Sequence, residues 1–274
     1  MKRVFATVGT TSFDPFVESI CSLPFLTATL QCRCASTQKP PSDQPALSLQ
    51  CTLDQQLLWR SCEILHSSKS SSCTQLPLGF SQHSSSTDPD RESEESVVEV
   101  LIQYGMGSCP SQFLPPAVGG AVQSDASDDE GFISARFPID NGAAKHVTMN
   151  IKWYRFKTSL TADMEGADLI LCHAGAGTLL EALSLKSTND RVINAVINSE
   201  LMDNHQSELA DELEKRKHIR VTKEVKELTT FSGARDFWTE VNDFVPKPFV
   251  DGCGMSQVDA KVSNFQRIID RVMS

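Results

Sequence analysis

Positive charge, paired cysteines at metal-ligand spacing and long apolar runs are what this sequence has least of. Its 274 residues carry 25 Lys and Arg against 35 Asp and Glu, a net charge of -10. No basic stripe offsets the acidic excess, which argues against nucleic acid and against a free-standing electrostatic membrane binder. No apolar run approaches the roughly 20 residues that a helix needs to cross a bilayer. The nine cysteines form no Cys-x-x-Cys pair and fall at irregular intervals, with Cys32 and Cys34 beside a Ser-rich region. The expectation is no metal site, and free thiols in a reducing compartment on the cytosolic side. Met1-Lys2-Arg3 precedes an apolar stretch too short for a signal peptide, so the mature chain is expected to start there.

What is present is a chain long enough for one large or two small domains. Residues 2–8 read as a strand ended by Gly9. Residues 13–23 read as a helix, with Phe13, Phe16, Val17 and Ile20 at helical spacing and Asp14 as its cap. Residues 35–95, rich in Ser, Gln and Pro, read as a low-complexity insertion with one isolated helix over 53–65. A strand over 97–105 ends in glycine. A second, loose acidic insertion is expected over 108–145, and its run Ser124-Asp125-Ala126-Ser127-Asp128-Asp129-Glu130 is given no catalytic role.

From residue 147 onward strands and helices alternate. Strands are predicted over 147–156, 169–172 and 192–197, with a further β-like piece beginning at Val221. Helices are predicted over 160–166, from the glycine turn to about 185, over 204–217, 231–244 and 262–273. This pattern predicts an α/β fold, a Rossmann-like open parallel sheet with helices on both faces, forming one domain over 1–274. Ligands of such sheets lie beyond the carboxyl ends of the strands. There Gly9-Thr10-Thr11, Gly105-Met106-Gly107 and the segment from His173 to Gly177 should converge.

The most informative stretch is Leu169-Ile170-Leu171-Cys172-His173-Ala174-Gly175-Ala176-Gly177-Thr178-Leu179-Leu180-Glu181. An apolar strand reaches a glycine-punctuated turn and passes at once into a helix. Glycines let backbone N–H groups approach a ligand, and the helix N-terminus adds partial positive charge, which suits a phosphate or diphosphate. Glu181, about one turn into the helix, could accept sugar hydroxyls. A tight turn whose glycines serve only close packing fits the spacing equally well. His173 reads either as a buried structural histidine or as a participant in proton transfer. Trp153, Tyr154 and Phe156 read as sheet packing rather than a sugar-stacking platform, and Arg155 and Lys157 either as solvated edge charges or as groups that approach phosphate.

Three motifs carry a family resemblance in order: Thr7-Val8-Gly9-Thr10-Thr11-Ser12-Phe13-Asp14, then Ala167-Asp168-Leu169-Ile170 leading into the His173–Gly177 turn, then the segment from Asn198 to Ala210. Together they resemble the small donor-binding subunits of the two-part UDP-N-acetylglucosamine transferases of dolichol-linked oligosaccharide synthesis, which belong to glycosyltransferase family 28 (C-terminal-domain type). These subunits are similar to the C-terminal half of the bacterial lipid-linked N-acetylglucosaminyltransferase of cell-wall synthesis, a GT-B enzyme. The resemblance covers residues 1 to about 24, 97–107 and 147–274.

The resemblance implies one GT-B half that moves N-acetylglucosamine from UDP-N-acetylglucosamine to dolichyl-diphosphate-N-acetylglucosamine with inversion. It implies no cofactor and no obligatory metal. It also implies activity only with a membrane-anchored acceptor-binding subunit, at the cytosolic face of the endoplasmic reticulum. Gly9, Thr10 and Thr11 would lie near the donor phosphates, and His173, Ala174, Gly175, Ala176, Gly177 and Thr178 would pass under the diphosphate. Glu181 would hold the ribose hydroxyls. Asn204, His205 and Gln206 would open a later helix, with Gln206 toward the N-acetylglucosamine hydroxyls. The catalytic base is not identified. Residues 245–274 are expected to contact the partner, to pack back on the sheet, or both. Two other readings stand beside this one: a related two-part transferase with another lipid-linked or polysaccharide acceptor, and a non-catalytic nucleotide-sugar-binding scaffold subunit.

Overall fold

The computed structural model describes residues 3–35, 63–69, 96–116, 129–140, 144–185, 191–198, 205–249 and 265–270. Eight strands form one sheet: β1 (Arg3–Thr7), β2 (Glu63–Lys69), β3 (Ser96–Gln103), β4 (Glu130–Asp140), β5 (Ala144–Tyr154), β6 (Leu169–His173), β7 (Val192–Val196) and β8 (Arg220–Thr222). Their order is β2-β4-β5-β3-β1-β6-β7-β8. The run from β5 through β3, β1, β6 and β7 to β8 is parallel throughout. β4 and β2 extend it as an antiparallel edge. β1 lies between β3 and β6, and the chain returns from β5 past β1 to β6, so the order reverses at the central strand.

The period-2 alternation of the central strands sorts their side chains onto two faces. Val4, Ala6, Val98, Val100, Leu169 and Leu171 enter one core. Phe5, Leu101, Ile170 and Cys172 enter the other. The first core is closed by helices α1 (Asp14–Cys21), α2 (Leu23–Ala35) and α6 (Phe231–Asp243). The second is closed by α3 (Thr161–Gly166), α4 (Ala176–Leu183) and α5 (His205–Lys215), and by the helical residues 265–270. The predicted open sheet with helices on both faces is therefore the fold.

Four local expectations need correction. Asp14 does not cap α1: its N-cap position is Phe13, with no side-chain bond. The Asp14 carboxylate instead accepts from the backbone N–H and the hydroxyl of Ser108, each at 2.8 Å. No apolar period marks α2, because six consecutive residues of the helix, Phe25 to Leu30, are buried. A helix covered on all sides carries no polar stripe to mark its period. Its start was nevertheless written in Ser22, whose hydroxyl accepts from the Phe25 N–H at 3.3 Å.

The third correction concerns 108–145, read as loose. A 3-10 turn at Pro110–Gln112 and the eleven-residue β4 lie within it. Ile133, Ala135 and Phe137 alternate into the first core, and β4 pairs with β5 along its full length. The acidic run just before β4 hid that alternation. The fourth concerns 53–65: its last three residues begin β2 rather than ending a helix, and the rest of the predicted helix lies outside the described residues. β2 pairs with the outer edge of β4 through its backbone. In the C-terminal segment, Phe265 and Ile268 are buried in the second core, and the Phe265 ring meets Phe249 edge-on. The described part of 245–274 thus packs back on the sheet.

Phe25 is fully buried and touches the rings of Phe237 and Trp238. Truncation of such a residue costs about 3–5 kcal/mol. Phe25→Ala is expected to lower the unfolding free energy by that amount, read as a lower urea midpoint with an unchanged denaturant slope. An effect under about 1 kcal/mol would show that α2 is not part of the core.

Candidate functional site

At the carboxyl edge of the sheet, the turns after β1, β3 and β6 interlock. Gly9 and Gly105 hold φ of +63 and +58, a backbone conformation that favours glycine. The Met106 N–H donates to the Thr11 carbonyl at 3.0 Å. A side chain on Gly105 would collide with that same carbonyl oxygen. Gln103, buried at the end of β3, ties the edge together. Its amide nitrogen donates to the Gly9 and Arg155 carbonyls, each at 2.7 Å, and its amide oxygen accepts from the Thr7 hydroxyl at 2.5 Å. Thr7 Oγ1 in turn accepts from the Gly9 N–H at 3.1 Å.

His173 ends β6 as a buried wedge between two glycines. A Cβ on Gly9 would stand 2.8 Å from the imidazole Cε1, and one on Gly175 would overlap Nε2. These two glycines make room for a ring. Burial lowers the His173 pKa, more than the Thr7 backbone raises it. Its Nδ1 has no hydrogen-bond partner among the described residues. The ring thus packs between the two turns and joins them.

Gly177 behaves differently. A Cβ there would meet nothing within 4 Å. It lies in the exposed first turn of α4, whose N-cap Gly175 offers no side-chain bond. The leading N–H groups of a helix have no intrahelical partners. Here Ala176 and Gly177 present them to solvent at the positive end of the helix dipole. One turn further on, half-buried Glu181 accepts from the Thr161 hydroxyl at 3.0 Å through one carboxylate oxygen.

The other predicted residues divide. Thr10 is exposed on the β1 turn. Thr11 lies beside it, but its hydroxyl donates to the Val8 carbonyl at 3.0 Å and its N–H to the same oxygen at 3.4 Å. Its donors are thus turned inward. Ala174 is buried, with its N–H on the Val196 carbonyl. Thr178 follows Gly177 in α4, and its hydroxyl oxygen would stand 3.4 Å from a Cβ on Gly9. The structure therefore brings Gly9, Thr10, Thr11 and the segment from His173 to Thr178 to one edge. His205 begins α5, and Gln206 follows with a buried side-chain oxygen that has no partner among the described residues. Asn204 lies outside the described residues.

Gln103 had no functional reading in the sequence; its signal was a lone amide ending an apolar strand. Arg155 is not a solvated charge. Its guanidinium donates to the Gly105 carbonyl at 3.1 Å, pairs with Asp129 at 2.6 Å and lies 4.7 Å from the centre of the Tyr104 ring. Lys157 pairs with buried Asp163 at 2.9 Å, and Asp163 also accepts from the Tyr154 hydroxyl at 2.6 Å. Trp153 and Tyr154 are buried sheet packing, whereas Phe156 is exposed.

An uncapped, glycine-bearing helix N-terminus beyond the central strands of an open sheet is the kind of place where such folds bind anions. Residues 134–229 match the Glycosyltransferase family 28 C-terminal domain. It is 47% identical over 66 residues to the human UDP-N-acetylglucosamine transferase subunit ALG13, covering 24% of this chain and 6% of that protein. It is 30% identical over 125 residues to the subunit of that name from Saccharomyces cerevisiae, covering 42% and 55%. The matched stretches thus span less than two thirds of either relative. An NMR solution structure of ALG13 aligns over 100% of this chain and 98% of its own, at 18% identity and a TM-score of 0.41. The fold assignment rests on the strand order alone. Among the described residues no helix is long and apolar enough to cross a membrane.

The buried imidazole supplies a pH test. Its native pKa lies below the ordinary value of 6.5, so below about pH 6.5 the unfolded chain takes up a proton that the native ring refuses. Its contribution to stability is complete above that pH and declines as pH falls toward the native pKa. In a histidine NMR titration, the His173 ring is expected to show a midpoint below 6.5. A midpoint at or above that value would contradict the buried neutral wedge.

Proposed function

We propose that this chain is the donor-binding subunit of an inverting glycosyltransferase, one that moves N-acetylglucosamine from UDP-N-acetylglucosamine to dolichyl-diphosphate-N-acetylglucosamine. The observation that carries the reading is Gly177. Packing explains Gly9, Gly105 and Gly175, but no neighbour requires glycine at the exposed N-terminus of α4. A glycine there leaves the leading N–H groups open to close approach by an anion. Glu181 supplies carboxylate acceptors one turn further along. The family 28 match and the names of the relatives support a UDP-sugar as that anion.

In this reading the donor diphosphate lies against the first turn of α4, with Gly9 and the Thr10 hydroxyl across from it. The ribose hydroxyls donate to Glu181, and the Gln206 amide faces the sugar. As the glycosidic bond breaks, negative charge grows on the leaving UDP. Fixed N–H dipoles stabilise that charge without a base acting on the donor. The acceptor hydroxyl attacks from the opposite face and inverts the anomeric carbon. Its proton goes to a base that belongs either to this chain or to its partner. The partner is a membrane-anchored, acceptor-binding subunit, which would bring this chain to the cytosolic face of the endoplasmic reticulum. Gln266 and Asp270, exposed in the described part of 245–274, would face it.

Gly177→Ala separates this reading from glycine as a packing device. Stability is expected to hold or to rise by up to about 1 kcal/mol, since alanine is the better helix former. Binding of UDP-N-acetylglucosamine, measured by calorimetry, is expected to weaken at least about tenfold, as a methyl over the N–H groups removes a charge-assisted contact. Unchanged affinity would count against the site. In a transfer assay with a dolichyl-diphosphate-N-acetylglucosamine analogue and the partner present, Glu181→Ala is expected to lose most activity. Donor affinity with no turnover in the complete assembly would favour a scaffold role instead.

A further inference from the structure

The segment between β5 and α4 is more tightly built than an exposed connection needs to be. Lys157 and the Tyr154 hydroxyl converge on the buried Asp163 carboxylate, at 2.9 and 2.6 Å. Met164, next to it, is fully buried. These contacts anchor the two-turn helix α3 on the second core and hold its exposed first residue, Thr161, in place. From there Thr161 Oγ1 reaches Glu181 Oε1 at 3.0 Å, across twenty residues of sequence.

The proton order along this contact is fixed by elementary chemistry. An ionised carboxylate only accepts, so the Thr161 hydroxyl donates to Glu181. With its proton committed, Thr161 Oγ1 is left as an acceptor, and the Ser159 hydroxyl donates to it at 3.1 Å. Ser159 Oγ in turn accepts from the Thr161 N–H at 3.3 Å. Donation therefore runs one way, from Ser159 through Thr161 to Glu181, and each bond polarises the next.

We propose that Thr161 is a positioning residue for Glu181, selecting the carboxylate rotamer that receives the ribose diol of the donor nucleotide. This rests on the reading of Glu181 given above. A free glutamate on a helix surface samples many rotamers, and ordering it on ligand binding opposes association. Held by one oxygen, Glu181 keeps its second oxygen and the remaining lone pairs of the first for two adjacent hydroxyls. Thr161 touches no substrate itself. Its effect should therefore appear as selectivity for the ribose hydroxyls.

The test is calorimetric titration of the full chain with UDP and with 2′-deoxy-UDP, for the wild type, Thr161→Val, Thr161→Ser and Glu181→Ala. The wild type is expected to prefer UDP. Thr161→Val keeps the shape of the side chain and removes the hydroxyl. It is expected to weaken UDP binding about 3- to 10-fold, the usual worth of one hydrogen bond, with little change for the deoxy compound. Thr161→Ser is expected to restore the preference, and Ser159→Ala to reduce it in the same direction by less. Thermal melting checks that each variant is folded. If Glu181→Ala abolishes the preference while Thr161→Val leaves it intact, the positioning role is overturned and the ribose reading survives. If wild type and Glu181→Ala discriminate equally, or neither binds UDP, both are overturned.

Discussion

The interlock of three strand-end turns at the carboxyl edge of the sheet is the constraint on which the site depends. Backbone atoms of the β1 and β3 turns approach so closely that Gly105 has no room for a side chain. Gln103 spans the gap between them with two donated bonds and one accepted bond. A buried, fully bonded amide at that position does more than add stability, since any shift of one turn would leave polar atoms unpaired in a low-dielectric setting. The His173 ring carries the constraint across to the β6 turn, packed between Gly9 and Gly175. Every residue proposed to meet the donor phosphates stands on, or immediately after, these fixed turns.

Rigidity of the edge contrasts with the openness of α4's first turn. The glycines of the motif looked alike in sequence and turn out to have different physical duties. Gly175 gives space to an imidazole, and Gly177 gives space to nothing among the described residues. A helix N-terminus that is firmly mounted yet uncapped leaves its N–H groups preorganised for an anion, which is the electrostatic condition for stabilising a departing diphosphate. Glu181 is mounted by the same logic, held through Thr161 to a helix anchored by the buried Asp163.

The central fold was legible because its strands are buried on both faces and its helices on one. The apolar run of β6 and the stripe of α1 announced themselves by their periods. α2 did not, because it is buried nearly all round. β4 was lost behind Asp125–Glu130, although Ile133, Ala135 and Phe137 carried a readable alternation. The glycine turn and the place of Glu181 in the helix that follows it could be read from spacing. Gln103, Arg155 and Thr161 could not, since each acts on a residue more than fifteen positions away, and a contact of that kind leaves no local pattern. Asp14 shows the opposite failure: its position suggested a local cap, while its carboxylate crosses to Ser108.

The central claim is that a nucleotide-sugar diphosphate sits on the exposed first turn of α4, opposite the β1 turn. The most direct measurement is a titration of the full chain with UDP-N-acetylglucosamine, followed by amide chemical shifts. The account predicts saturable shifts concentrated at Gly9, Thr10, Ala176, Gly177 and Thr178, with much smaller ones at Gly131 in β4 and Gly233 in α6. Saturable shifts elsewhere with these amides unmoved, or no shifts at millimolar donor, would contradict it.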